Sequence, residues 1–231
     1  MLTQPAQALT DLLLGLVVLG LAVGLRPTSA GYRYWRAAFW WAGVGALAGF
    51  VHHGVLVRWP EVARVSWAII SLMVVVAISY LLAATVEEVL GPGHGRAFWL
   101  LRAAGLVAYA GLAATGHAGV SAMLACESVT MLSVLVLWGW AAYRQHPLAV
   151  PVLVAILACG AAAGARSLSP AVTGHINLDP TSLYHLGQIA GMVLLFRALR
   201  DAATERPVAD SADRRSAAGP PIRRDPSRRA R

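Results

Sequence analysis

Seven long apolar segments dominate this chain and limit what it can fold into. They cover residues 8–25, 34–57, 65–86, 97–116, 119–142, 147–168 and 181–199. A helix that crosses a bilayer needs about 20 mostly apolar residues. Only 13% of the 231 residues are charged, whereas a typical soluble domain has about 25%. The pattern predicts an all-α, polytopic membrane bundle of seven transmembrane helices within residues 1–199.

The last part of the chain, residues 200–231, has a different composition. It holds nine arginines, five acidic residues and four prolines, and it has no aromatic residue. Such a segment buries too little apolar surface to offset the entropy lost on ordering. We therefore expect a disordered, arginine-rich cytoplasmic tail that is separate from the seven-helix domain.

The arginines also predict the orientation. With the tail in the cytoplasm, the loops on that side hold five arginines, and the opposite loops hold Arg58, Arg64 and Arg166. Basic residues are in excess in cytoplasmic loops, so the N-terminus is predicted outside and the C-terminus inside. The composition, rich in alanine, glycine and arginine, is typical of a GC-rich bacterial sequence and indicates an inner membrane.

The chain has no lysine, since all nineteen of its Lys and Arg positions are arginine. A retinal Schiff base or a pyridoxal aldimine requires a lysine amine. Rhodopsin-like and pyridoxal-dependent functions are therefore excluded.

Several ionisable side chains fall inside the apolar segments, where they are costly and are functional candidates by default. The four that the predicted orientation puts near the outer face are His52, His53, Glu127 and His185. Asp11 lies at the outer start of the first segment, and His175 lies in an outer loop. Side chains from several helices are thus expected at one depth.

Glycines four residues apart predict close helix packing. The pairs are Gly20/Gly24, Gly45/Gly49, Gly160/Gly164 and Gly187/Gly191. At about 100° per residue, His52 and His53 lie near the face of the second segment that carries Gly45 and Gly49. Both imidazoles are therefore predicted to point between helices.

Imidazoles from different helices, together with a carboxylate, are the donors of a catalytic zinc site, which has three protein ligands and an open position for water. Bound zinc lowers the pKa of that water to about 7. The candidate ligands are His53, His185, His52 and His175. Glu127 is the candidate catalytic residue, and the sequence leaves open whether it is a ligand, a base or a partner of Arg166.

Two stretches carry a resemblance to a known superfamily. They are "GALAGFVHHGV" at 45–55 and "GHINLDPTSLYHLGQIAGMVLLFRAL" at 174–199. The chain resembles the seven-span membrane hydrolases that include the alkaline ceramidases and the progestin/adiponectin-receptor proteins. The resemblance implies a zinc site with His52 or His53 and with His185, and hydrolysis of a lipid amide or ester near the outer face.

The chain also departs from the pattern of that superfamily. The serine expected four residues before the histidine is Gly49 or Ala48, and the second histidine of the last helix is missing. The third ligand would then be His175, the other histidine of the doublet, or Glu127. The expected partners are membrane lipids and a lipid-like substrate, and no nucleic acid.

Two other functions are compatible with the same residues. His53 and His185 are suitable axial ligands for a b-type haem in an electron carrier. Alternatively, the polar cluster lines the ligand pocket of a non-catalytic binding or transport protein. The sequence does not identify the substrate or the oligomeric state.

Overall fold

A computed structural model describes residues 2–26, 30–94, 98–166, 169 and 179–217, and in these residues all regular secondary structure is helical. The described ranges contain seven α-helices and one short 3₁₀ turn, Leu56–Arg58. The helices are α1 (Pro5–Gly24), α2 (Ala30–Gly54), α3 (Pro60–Val89), α4 (Trp99–Ala114), α5 (Val120–Tyr143), α6 (Ala149–Ala165) and α7 (Pro180–Ala217). The predicted all-α fold and the order of its helices are confirmed.

Four of the described helices have the length and composition of membrane spans. They are α1, α3, α5 and the first part of α7. Two apolar helices are shorter, α4 with 16 residues and α6 with 17. These features indicate a membrane protein, whereas the crossing of the bilayer by all seven helices stays a prediction.

The helices pack mainly on their neighbours in sequence, and the first and last helices close the bundle. α1 packs on α2, α2 on α3, and α6 on α7, while α1 also contacts α7. α5 packs on α3, α4 and α6. The ends of α1, α2 and α7 that carry the ionisable residues therefore meet on one side of the bundle.

Glycines make two of these interfaces close. A Cβ atom on Gly15 would lie 2.6 Å from Cδ2 of Leu47, and one on Gly43 would lie 2.7 Å from Cγ of Leu19. Gly187 and Gly191 likewise face α6. A larger residue at any of these positions would push the helices apart.

The predicted glycine pairs have different outcomes. Gly187 and Gly191 do pack closely, as expected. Gly20, Gly160 and Gly164 have no heavy atom within 4 Å of where a Cβ would lie. Those three glycines therefore face open space among the described residues, and the spacing alone does not identify an interface.

The two largest fully buried side chains, Trp35 and Trp138, lie toward the end of the bundle opposite the ionisable cluster. Trp35 packs against Trp138, whose Nε1 donates a 3.1 Å hydrogen bond to Oγ1 of Thr85. The hydroxyl of Tyr32 donates to the carbonyl of Leu199 at 2.6 Å. This apolar core holds the helices in place while the other end carries the polar groups.

α7 continues beyond residue 199 to Ala217, into the segment for which the composition predicts disorder. Residues 218–231 lie outside the described residues. The boundary between the helical domain and the tail stays a prediction.

Candidate functional site

Asp11 is the centre of the ionisable cluster. It lies on α1, its residue is only 4% exposed, and its carboxylate reaches two other helices. Oδ2 lies 2.7 Å from Nδ1 of His53 on α2, and Oδ1 lies 3.2 Å from Nε2 of His185 on α7. The structure therefore joins His53 and His185, both predicted from the sequence, through a carboxylate that was not among the predicted ligands.

The start of the chain determines the register of Asp11 against His53. The backbone N–H of Thr3 donates to the carbonyl of Gly54 at 3.0 Å, and that of Gln4 donates to the carbonyl of His53 at 3.1 Å. Carbonyls in the last turn of a helix have no partner within that helix. The segment before α1 satisfies two of them at the end of α2, which aligns the two helices.

Gly49 makes room for the carboxylate. A Cβ atom at this position would lie 2.7 Å from Oδ2 of Asp11. Gly49 also precedes His53 by four residues, one helical turn, and so lies below it on α2. The resemblance to the seven-span hydrolases expects a serine here, and in this chain the space is taken by Asp11.

Thr10 orients the ring of His185. Its hydroxyl oxygen lies 2.9 Å from Nδ1 of His185 and 3.0 Å from the carbonyl oxygens of both Ala6 and Gln7. A threonine hydroxyl both donates and accepts hydrogen bonds. The contact with Nδ1 therefore holds the imidazole against α1.

The other ring nitrogen of His185, Nε2, lies 3.2 Å from Oδ1 of Asp11. A neutral His185 with its hydrogen on Nε2 donates to this carboxylate oxygen and accepts from the hydroxyl of Thr10 at Nδ1. Asp11 therefore has an imidazole nitrogen at each of its two oxygens. A buried carboxylate is stabilised by such hydrogen bonds.

The adjacent histidine, His52, points to a different interface. Its Nδ1 lies 2.7 Å from Oγ of Ser66, and its ring lies 5.7 Å from that of Trp67, both on α3. It touches the cluster only through His53, whose ring it meets edge-on at 5.0 Å. The doublet therefore divides, with His53 directed at α1 and His52 at α3.

Asp179 precedes α7 and positions the helix that carries His185. Its Oδ1 accepts from the backbone N–H groups of Thr181 and Ser182 at 3.0 and 3.1 Å, and from Nε2 of Gln7 at 3.3 Å. Burial alone would raise the pKa of Asp179, but the hydrogen bonds from Ser182, Thr181 and Gln7 outweigh it and lower the pKa. The ionised carboxylate thus caps α7 and ties it to α1.

Arg166, at the end of α6, lies beside the same cluster. Its Cζ is 5.6 Å from the ring centroid of Trp67 and 5.9 Å from that of Tyr184. Trp67 packs on His52, and Tyr184 packs on His185 with ring centroids 5.2 Å apart. The pairing of Arg166 with Glu127 that the sequence left open is not seen, because the guanidinium lies on aromatic rings.

Glu127 lies between α4 and α5. It is 4% exposed, its carboxylate interacts with Thr130, and its Oε1 lies 3.2 Å from where a Cβ on Gly105 would be. Its Oε2 has no hydrogen-bond partner among the described residues. None of the contacts found for Glu127 joins it to the histidines, so its catalytic role stays a prediction that this geometry does not support.

The remaining predicted ligand, His175, lies outside the described residues. Asp11 is the site residue that the ligand prediction missed, although an acidic residue in the first turns of an apolar segment was a signal for it. That signal is ambiguous, because an acidic residue near the start of a membrane helix can also be solvated.

The donor types at Asp11, His53 and His185, two imidazole nitrogens and a carboxylate oxygen, are those of catalytic zinc sites. Among the described residues, however, no group of three or more His, Cys, Asp or Glu side chains is arranged to hold a metal ion. Axial binding of a haem through Nε2 of His185 would also require this nitrogen to leave Oδ1 of Asp11. The chemistry that these side chains supply as arranged is acid–base chemistry.

Comparison with known proteins identifies the family of the chain. The model of a family of unknown function, DUF6962, matches residues 6–204, a range that includes Asp11, His53 and His185. No curated protein and no solved structure matches the chain.

Proposed function

We propose that this chain, which belongs to the DUF6962 family of unknown function, is an integral membrane hydrolase that cleaves a lipid ester or amide. The observation that carries the proposal is the buried carboxylate of Asp11 between the imidazoles of His53 and His185, from two other helices. Ionisable groups within membrane helices are rare and mark functional sites.

The proposed setting is a bacterial inner membrane crossed by all seven helices, with the N-terminus outside. The distribution of arginine supports this orientation. The cluster then lies near the outer face, at the level of the ester or amide bonds of membrane lipids.

In the proposed mechanism His53 is the general base. Its Nδ1–H donates to Oδ2 of Asp11 at 2.7 Å, which leaves the lone pair of Nε2 free. Nε2 takes a proton from water as the water oxygen attacks the lipid carbonyl carbon. Asp11 stabilises the imidazolium that forms, in the way a buried aspartate supports a catalytic histidine. The same proton then passes to the departing alcohol or amine.

His185 holds the second oxygen of the carboxylate. Its Nε2 lies 3.2 Å from Oδ1 of Asp11, and Thr10 contacts its other ring nitrogen. Because an imidazole nitrogen meets each of its oxygens, Asp11 stays oriented while His53 gains and loses a proton. The side chain of His53 is 12% exposed, so this histidine retains a small accessible surface.

The test is hydrolysis of a panel of lipid esters and amides by protein purified in detergent. His53→Gln and Asp11→Asn are expected to lower the rate by a factor of about 100 or more, the usual contribution of general acid–base catalysis. His117→Gln is the matched control. His117 is exposed, and the hydrogen-bond contact of its ring among the described residues is with Thr115, outside the cluster. A wild-type rate no higher than that of His53→Gln on every lipid would refute the proposal.

Elemental analysis of the same preparations distinguishes the acid–base mechanism from a zinc-dependent one. The acid–base mechanism predicts full activity in protein treated with a chelator. One zinc per chain that is lost in both His53→Gln and His185→Gln would instead support a zinc mechanism at the same residues.

A second candidate function is proton-coupled transport. It is favoured by the two imidazoles that share one buried carboxylate where α1, α2 and α7 meet, because Asp, Glu and His chains within membrane helices form proton relays. The test is proton flux in liposomes that contain the purified protein. Flux that Asp11→Asn abolishes, together with no lipid hydrolysis, would favour transport.

A further inference from the structure

We infer that Arg166 binds the phosphate of a phospholipid headgroup and so selects phospholipids as substrates for the hydrolysis proposed above, on which this inference rests. The guanidinium lies near two aromatic rings, with Cζ at 5.6 Å from the Trp67 centroid and 5.9 Å from the Tyr184 centroid. Such cation–π contacts hold the position of the guanidinium.

The two supporting rings connect Arg166 to the cluster. Trp67 lies 5.7 Å from the ring of His52, and Tyr184 lies 5.2 Å from that of His185. One aromatic ring therefore lies between the guanidinium and His52, and another lies between the guanidinium and His185. A lipid whose phosphate met Arg166 would have its ester bonds within reach of the cluster, because ester and phosphate groups are adjacent in a phospholipid.

The positive charge of Arg166 has no carboxylate partner within 4 Å among the described residues. The following segment, residues 167–178, contains no Asp or Glu that could supply one. Arg64, at the same end of the bundle, differs, because its guanidinium lies 3.0 Å from the carboxylate of Glu61. Arg166 is therefore the guanidinium near the cluster that is available to an anion.

A guanidinium held by cation–π contacts still presents its N–H donors, which match the oxygens of a phosphate in a bidentate contact. The end of a membrane helix is the level at which lipid headgroups lie. Both properties fit a phospholipid headgroup, whereas a neutral lipid such as a diacylglycerol offers no anionic oxygen.

The test measures binding separately from hydrolysis. Native mass spectrometry of detergent-purified protein would compare phosphatidylglycerol with diacylglycerol for wild type, Arg166→Gln, Arg166→Lys and the control Arg64→Gln. Loss of a charge-assisted hydrogen bond predicts affinity for phosphatidylglycerol about 10 to 100 times weaker in Arg166→Gln. Arg166→Lys should be intermediate, and diacylglycerol binding should not change.

Equal phosphatidylglycerol binding by Arg166→Gln and Arg64→Gln, with both variants folded, would overturn the inference. Hydrolysis by the wild type would then still stand as support for the proposed function. Conversely, Arg166→Gln could lose phosphatidylglycerol binding selectively while the wild type hydrolyses no lipid. That result would support the phosphate site at Arg166 and would reject the hydrolase function. Protection of the wild type from thermal unfolding by inorganic phosphate, equal to that by the lipid, would identify free phosphate as the ligand and overturn the lipid assignment.

Discussion

Nε2 of His185 and Oδ1 of Asp11 lie 3.2 Å apart, although the two residues come from opposite ends of the chain. Thr10 engages the other nitrogen of the ring at 2.9 Å. A second imidazole, that of His53, occupies the other oxygen of the same carboxylate. One buried carboxylate therefore links α1, α2 and α7.

Thr10→Val is expected to lower lipid hydrolysis about tenfold, because it leaves Nδ1 of His185 without its hydrogen-bond partner at 2.9 Å. The loss of one buried hydrogen bond costs about 1–3 kcal/mol. Thr10→Ser, which keeps the hydroxyl, should restore most of the rate. Equal rates for the Val and Ser variants would contradict the role assigned to Thr10.

The two adjacent histidines should respond differently to substitution. His52→Gln is expected to destabilise the protein by about 1–3 kcal/mol through the lost bond to Ser66, while hydrolysis by the folded protein changes less than tenfold. His53→Gln should remove activity. Thermal unfolding and initial rates measured on both variants provide the check, and a reversed order of the two activities would count against the site.

Gly49→Ala should disrupt the site without removing any polar group. The added Cβ would lie 2.7 Å from Oδ2 of Asp11 and would displace the carboxylate. Gly45→Ala is the matched control on the same helix, because its Cβ would meet Cβ of Met73 at an ordinary 3.5 Å. Hydrolysis rates should fall strongly in the first variant only, and equal rates would show that the carboxylate moves freely.

Gly187→Ala should destabilise the packing of α6 on α7, since its Cβ would lie 2.5 Å from Cβ of Ala162. Overpacking of this kind costs about 1–3 kcal/mol. Gly160→Ala on α6 meets nothing within 4 Å and should be neutral or slightly stabilising. Unfolding temperatures in detergent would separate the two, and equal losses would show that helix packing is not the cause.

Asp179 predicts a stability that depends on pH. Its folded pKa lies below its ordinary value of 3.8, so its contribution is present above that value and is lost as the pH falls through the lowered pKa. Asp179→Asn keeps the helix cap but removes the charge. The unfolding temperature of wild type should exceed that of Asp179→Asn at about pH 7, and the difference should shrink as the pH falls below 3.8 toward the lowered pKa. A constant difference across this range would reject the linkage.

The sequence by itself determined the helical class and the order of the seven helices, because the length and hydropathy of a segment are local properties. It also placed His53 and His185 at one end of the bundle, since each lies near the end of an apolar segment. Depth along a helix follows from counting residues, so both histidines could be paired across the chain before any contact was known.

Only the tertiary structure decided which groups touch. Helical spacing put both histidines of the doublet near one face of α2, but Gly49 on that face meets α1 and Gly45 meets α3, so His53 and His52 separate. The same packing selected Asp11 as the common partner. Such choices depend on the register and rotation of α1, α2 and α7 against one another. These are set by glycine contacts and by hydrogen bonds between distant segments, which no local pattern contains.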